Sequence, residues 1–134
     1  MSTLPPAEAA VPGARLPVVR RAAVLLAVEA LALIALGVVD GIATAVGTPE
    51  DRGAALGIAA VAVGVGLVVL LLARAIDRLR GWARTPSVVL QLIAFPVGTD
   101  LVLGRVWLPG IVVLLLAGAT LYHLAVAGPA FTGD

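Results

Sequence analysis

The sequence contains no cysteine, a single histidine, two tryptophans, one tyrosine and two phenylalanines, and its nine cationic residues are all arginine. Without cysteine there can be no disulfide framework, no thiolate metal site and no cysteine nucleophile. No Ser-His-Asp ordering, Gly-rich phosphate loop, pair of carboxylates at one depth or metal-ligand spacing is present either. The chain is therefore not expected to be an enzyme, and no cofactor or metal is expected. Charge is scarce as well: 13% of residues are charged and the formal net charge is +1, too little to argue for nucleic acid as a partner.

What fills the chain instead is apolar. Hydrophobic residues make up 61% and the mean hydropathy is +1.13, a balance that places most of the surface in lipid rather than water. A helix needs about 20 residues to cross a ~30 Å hydrocarbon core, so 134 residues hold about four crossings with short connections. The expected fold is all-α, an integral membrane bundle of four transmembrane helices with a Pro-kinked third helix.

Residues 1–17 carry Pro5, Pro6, Pro12 and Pro17 among small side chains and are expected to be a disordered cytoplasmic tail. The transmembrane domain is expected over 18–128, with helices at 18–40, 54–77, 86–103 and 108–127, and 129–134 as a short tail. In the first helix, residues 22–39 are apolar except for Glu29. Ala43-Thr44-Ala45 looks like a signal-peptide cleavage site, but the apolar run is too long for one and holds a carboxylate, so the segment reads as a retained span. In the second helix, Gly53, Gly57, Ala60 and Gly64 recur at spacings of four, three and four and form one narrow helix-packing seam. Such a seam can serve packing inside the bundle or a homodimer. In the third, Thr85 reads as the N-cap and Pro86 as a first-turn residue. The uncharged residues 85–99 reach only about 22 Å, so the span must include Asp100 or else re-enter as a hairpin. Pro96 should kink the outer half, since its ring crowds the carbonyl of Leu92.

The arginines set the orientation. Arg15, Arg20, Arg21, Arg74, Arg78, Arg80 and Arg84 fall on one side of a four-helix arrangement, and Arg52 and Arg105 on the other. By the positive-inside rule both termini and the central loop are expected to be cytoplasmic in a bacterial inner membrane. Arg78, Arg80, Trp82 and Arg84 are the expected contacts to lipid headgroups, with anionic lipids as partners.

The central run Gly81-Trp82-Ala83-Arg84-Thr85-Pro86, followed by Leu90-Gln91-Leu92 and Pro96-Val97-Gly98, resembles the shared core of uncharacterised small four-helix integral membrane proteins of actinobacteria. Val28-Glu29-Ala30-Leu31-Ala32-Leu33 resembles that family's glutamate-bearing first helix. The resemblance covers the four helices but not the tail, and it implies the fold without implying a chemistry. An Ala, Val, Gly and Arg bias without lysine fits a high-GC genome.

Glu29, Gln91 and His123 are the candidate intramembrane polar site. An ionisable group in hydrocarbon costs about 2.5–3.5 kcal/mol on insertion scales and needs a partner, a cavity or a neutral form. Glu29 lies about 12 Å in from Arg21 and His123 about 8 Å in from Gly128, and their side chains lean toward one depth, so the two are expected to pair. Gln91 is the reserve partner. The leading functional reading is a structural or accessory protein that binds another membrane component, with a homodimer or a membrane-protein partner. The alternative is a small proton-coupled transporter using Glu29. Four helices with a glutamate in the first resemble the small multidrug resistance exporters, yet 4% aromatic content is poor for stacking on cations and the arginine bias opposes antiparallel insertion.

Overall fold

The computed structural model describes residues 16–105 and 107–128. Apart from residues 16 and 17, the expected tails lie outside the described residues. The chain forms α1 (Leu16–Val46), α2 (Arg52–Asp77), a single 3-10 turn (Gly81–Ala83), α3 (Arg84–Leu103) and α4 (Trp107–Val126). All four helices are long and apolar enough to cross a membrane.

The boundaries differ from expectation where a polar residue was read as a stop. α1 begins at Leu16, with Pro17 in the first turn where its missing N–H costs nothing, and it passes through Asp40 and Gly41 to Val46. A lone exposed carboxylate followed by one glycine weakens a helix by only about 1 kcal/mol, and nothing in the next five residues breaks it. The chain turns at Gly47 instead. There Arg52 Nη2 donates to the Gly47 carbonyl at 2.8 Å, and the Asp51 carboxylate accepts from the Ala54 N–H at 2.9 Å, capping α2.

α2 ends without glycine. Leu79 takes the left-handed conformation (φ 54°), its N–H donates to Ile76 and that of Arg80 to Ala75, both at 2.9 Å, the paired bonds of a Schellman ending. The 3-10 turn then runs straight into α3. Thr85 is therefore not the N-cap: the cap position is Ala83, already helical, and the Ala83 and Arg84 N–H groups donate to the Arg80 and Gly81 carbonyls of the turn. The 20 residues of α3 extend about 30 Å, enough to span directly without re-entering. Pro96 lies inside this helix, and Thr99 Oγ1 donates to the Phe95 carbonyl at 2.9 Å in the turn beside it.

The helices pack as two antiparallel hairpins. α1 and α2 approach closely because a Cβ on Gly37 would come within 2.8 Å of the Ala59 carbonyl oxygen, and one on Gly66 within 2.7 Å of Ile34 Cγ1. α3 and α4 share one antiparallel register, marked by Val102 at Gly110, Leu114 at Gly98 and Arg84 at Gly128. The hairpins join mainly where α1 packs on α4, whereas α2 touches α3 only slightly, so α1 and α3 stand diagonally across the bundle.

The core is concentrated at one end. Val19, Leu26, Ala30, Val69, Ile76 and Leu124 belong to one buried cluster there, closed by Ala83 of the 3-10 turn and Ala127. Toward the other end the fully covered positions are small ones such as Gly37, Ala59, Gly98 and Gly110. Large side chains face outward: Val39, Ile58, Leu103, Leu108 and Leu115 are all exposed. Water would penalise so continuous an apolar exterior, and hydrocarbon does not. Six described arginines (Arg20, Arg21, Arg74, Arg78, Arg80, Arg84) lie at the closed end and two (Arg52, Arg105) at the opposite end.

Candidate functional site

The polar centre of the bundle joins α1 to α3 across the diagonal. Gln91 Nε2 donates to Glu29 Oε2 at 2.8 Å. Each residue gets there by helical phase. On α1, Ala22, Leu26 and Ala30 form the buried stripe, and Glu29 stands at its edge, half-buried. On α3, Ser87, Gln91 and Gly98 are the buried positions, and Gln91 is 1% exposed. Ser87 returns its hydroxyl to the Ala83 carbonyl at 2.7 Å. Gln91 has no such local outlet, and its amide reaches across the bundle.

Beside this bond the hairpins part and leave a cavity of about 260 Å³, walled by residues of all four helices, among them Glu29, Leu36, Val65, Ile93, Val97 and Val112. Among the described residues of that lining Glu29 is the one ionisable side chain, and none is aromatic. Two polar atoms near this level have no hydrogen-bond partner, Gln91 Oε1 and Thr120 Oγ1, and both are buried. The register of α3 and α4 sets Thr120 opposite Leu92, one residue along from Gln91. Sequence reasoning passed over Thr120. Its signal was a hydroxyl three and four residues from Ala117 and Leu124, on the stripe of α4 that the bundle buries.

His123 does not meet Glu29. Leaning side chains bring the two to similar depth, but depth leaves open which way around the helix each one faces. Leu124 takes the buried phase of α4, and His123, one residue earlier, turns into the groove between the start of α1 and the end of α4. Its Nδ1 lies 2.7 Å from the Ala119 carbonyl, and Tyr122 packs edge-on with ring centroids 5.4 Å apart. The reserve partner, Gln91, takes the contact with Glu29.

The expected packing seam is not used within the chain. Gly53, Gly57, Ala60 and Gly64 are all exposed, and a Cβ on Gly57 or Gly64 would have nothing within 4 Å. They lie on the side of α2 opposite the stripe of Ala59, Gly66 and Ala73 that faces α1. Both stripes consist of small residues, but the second finds a matching one on α1, so it takes the close approach. In the basic connection, Arg78, Arg80 and Trp82 are exposed, whereas Arg84 is partly buried. A Cβ on Gly128 would come within 2.7 Å of Arg84 Nη2, which seats the guanidinium at the C-terminal end of α4, where a cation is favoured. Arg84 Nε is buried without a hydrogen-bond partner.

Compared with known proteins, the chain matches no family model, no curated relative and no solved structure. Its four helices, each apolar and long enough to span, are compatible with a small multi-pass membrane protein.

Proposed function

We propose that the chain is a non-enzymatic accessory protein of a bacterial inner membrane, with both termini cytoplasmic, that binds another membrane component in the cavity between its two hairpins. The observation that carries this is the cavity itself. It is about 260 Å³, is walled by aliphatic side chains from every helix, and has the Glu29–Gln91 bond at its polar end. Aliphatic walls suit an apolar body, and one carboxyl with an adjacent amide suits a single polar group on it. A photoreactive amino acid placed at Leu33 or Val113, half-buried residues of the cavity wall, tests this in cells. Either site is expected to capture a discrete lipid or membrane protein that the same probe at outward-facing Val61 does not. Equal capture at all three positions would leave the cavity with no role.

The second reading is proton-coupled transport through the same space, favoured because Glu29 is the ionisable residue in the lining. A carboxyl there can take up and release a proton, and Gln91 can hold it in either state by donating or accepting. Liposomes carrying the protein under an imposed proton gradient would then move a cation, and Glu29→Gln would abolish the movement. Uptake by Glu29→Gln at the normal rate would sink this reading.

A further inference from the structure

A second concave site lies at the basic end, apart from the cavity. Arg20 and Arg21 open the apolar part of α1, and His123 sits in the last turn of α4. Between these two helix ends is an open groove of about 510 Å³, lined by Pro17, Arg20, Arg21, Val24, Leu25 and His123. Among the described residues its polar side chains are two guanidiniums and one imidazole, with no carboxylate in the lining. Asp77 belongs to the neighbouring pocket, which it shares with Arg20 and Arg74.

The imidazole is oriented. The Ala119 carbonyl can only accept, so His123 Nδ1–H donates to it across 2.7 Å, and Nε2 is the nitrogen left for a ligand. With the proton on Nδ1, Nε2 is an acceptor, suited to a headgroup hydroxyl. Arg20 and Arg21 are exposed, and a guanidinium matches two phosphate oxygens at once.

Depth separates the polar and apolar parts. Arg20 and Arg21 precede residues 22–39, the run that enters hydrocarbon, while Val24 and Leu25 stand one turn further in. The groove's wall is therefore mainly aliphatic, with the two arginines at its headgroup-level rim. A free anion would use only that rim. We infer that Arg20 and Arg21 bind the phosphate of an anionic phospholipid, that His123 Nε2 accepts from a hydroxyl of its headgroup, and that one acyl chain lies along Val24 and Leu25. This site does not depend on what occupies the central cavity.

The test uses the full chain in detergent, offered equal amounts of phosphatidylglycerol and phosphatidylcholine, with bound lipid read by native mass spectrometry. Phosphatidylglycerol is expected to be retained in preference. The pair Arg20→Gln/Arg21→Gln should lower its retention about tenfold or more, and several-fold more than Arg78→Gln/Arg80→Gln, which removes the same charge from the exposed connection. Val24→Trp leaves both arginines in place and fills the apolar wall, so it should lose the same lipid. Equal loss in the two arginine pairs would mean diffuse surface charge and overturn the site, as would unchanged retention in Arg20→Gln/Arg21→Gln or in Val24→Trp. Displacement of the lipid by excess inorganic phosphate alone would assign the anion chemistry to free phosphate and overturn the lipid. Retention against inorganic phosphate supports it.

Discussion

Gln91 Nε2 stands 2.8 Å from Glu29 Oε2, a hydrogen bond between residues 62 apart in sequence on helices that otherwise barely touch. It ties the two hairpins together where the tightly packed end of the bundle gives way to the cavity. The carboxyl that sequence reading assigned to His123 thus has an amide for its partner, on the opposite corner of the bundle.

The pair should be energetically coupled. A double-mutant cycle with Glu29→Ala and Gln91→Ala, read by unfolding in detergent, is expected to give about 0.6 kcal/mol of interaction, the usual size for polar contacts between membrane helices. The cycle with His123→Ala in place of Gln91→Ala should be additive. Coupling of Glu29 to His123 and not to Gln91 would reverse the assignment.

Glycine substitutions should separate the two stripes of α2. Gly37→Ala and Gly66→Ala push a methyl group to within 2.8 Å of the Ala59 carbonyl oxygen and 2.7 Å of Ile34 Cγ1, respectively, so each should cost about 1–3 kcal/mol. A Cβ on Gly57 or Gly64 has nothing within 4 Å, so Gly57→Leu and Gly64→Leu should leave the unfolding midpoint in detergent unchanged. If those two were destabilising while Gly37→Ala was silent, the packing would have to be reassigned.

Leu79 is a place where the chain should be easy to stabilise. It holds φ 54° at the end of α2, a conformation that glycine adopts without the steric penalty of a Cβ. Its side chain is 42% exposed, so little packing is lost on removing it. Leu79→Gly is expected to raise stability by about 1 kcal/mol, visible as a higher midpoint in detergent. A lower midpoint would mean that the leucine contributes more through lipid contact than its backbone costs.

Orientation can be read with reporters. Fusions after Arg80 and at the C-terminus should report the cytoplasm, and one inserted near Thr48, in the turn between α1 and α2, should report the outside. The opposite pattern would require the end with six described arginines to face outward.

The sequence by itself determined the number of helices, their approximate spans and their grouping at two ends. Those features follow from hydropathy, segment length and arginine placement, which are properties of position along the chain. The ends of helices were less legible. Asp40-Gly41 looks like a stop and is not, whereas Arg78-Leu79-Arg80 ends α2 with no glycine, because a helix stops where its carbonyls find other donors. Only the tertiary structure decided which faces meet. Two small-residue stripes on α2 have the same periodicity, and the one at Ala59 and Gly66 is used because α1 presents Gly37 and Ala30 at matching heights. Depth put Glu29, Gln91, Thr120 and His123 within reach of one another, but the rotation of each helix about its axis placed Glu29 against Gln91 and turned His123 out toward Arg20 and Arg21. In a lipid solvent that rotation is not set by hiding apolar faces from water. It is set by close packing and by the need of each buried polar atom for a partner, and both are relations between helices that no single segment contains.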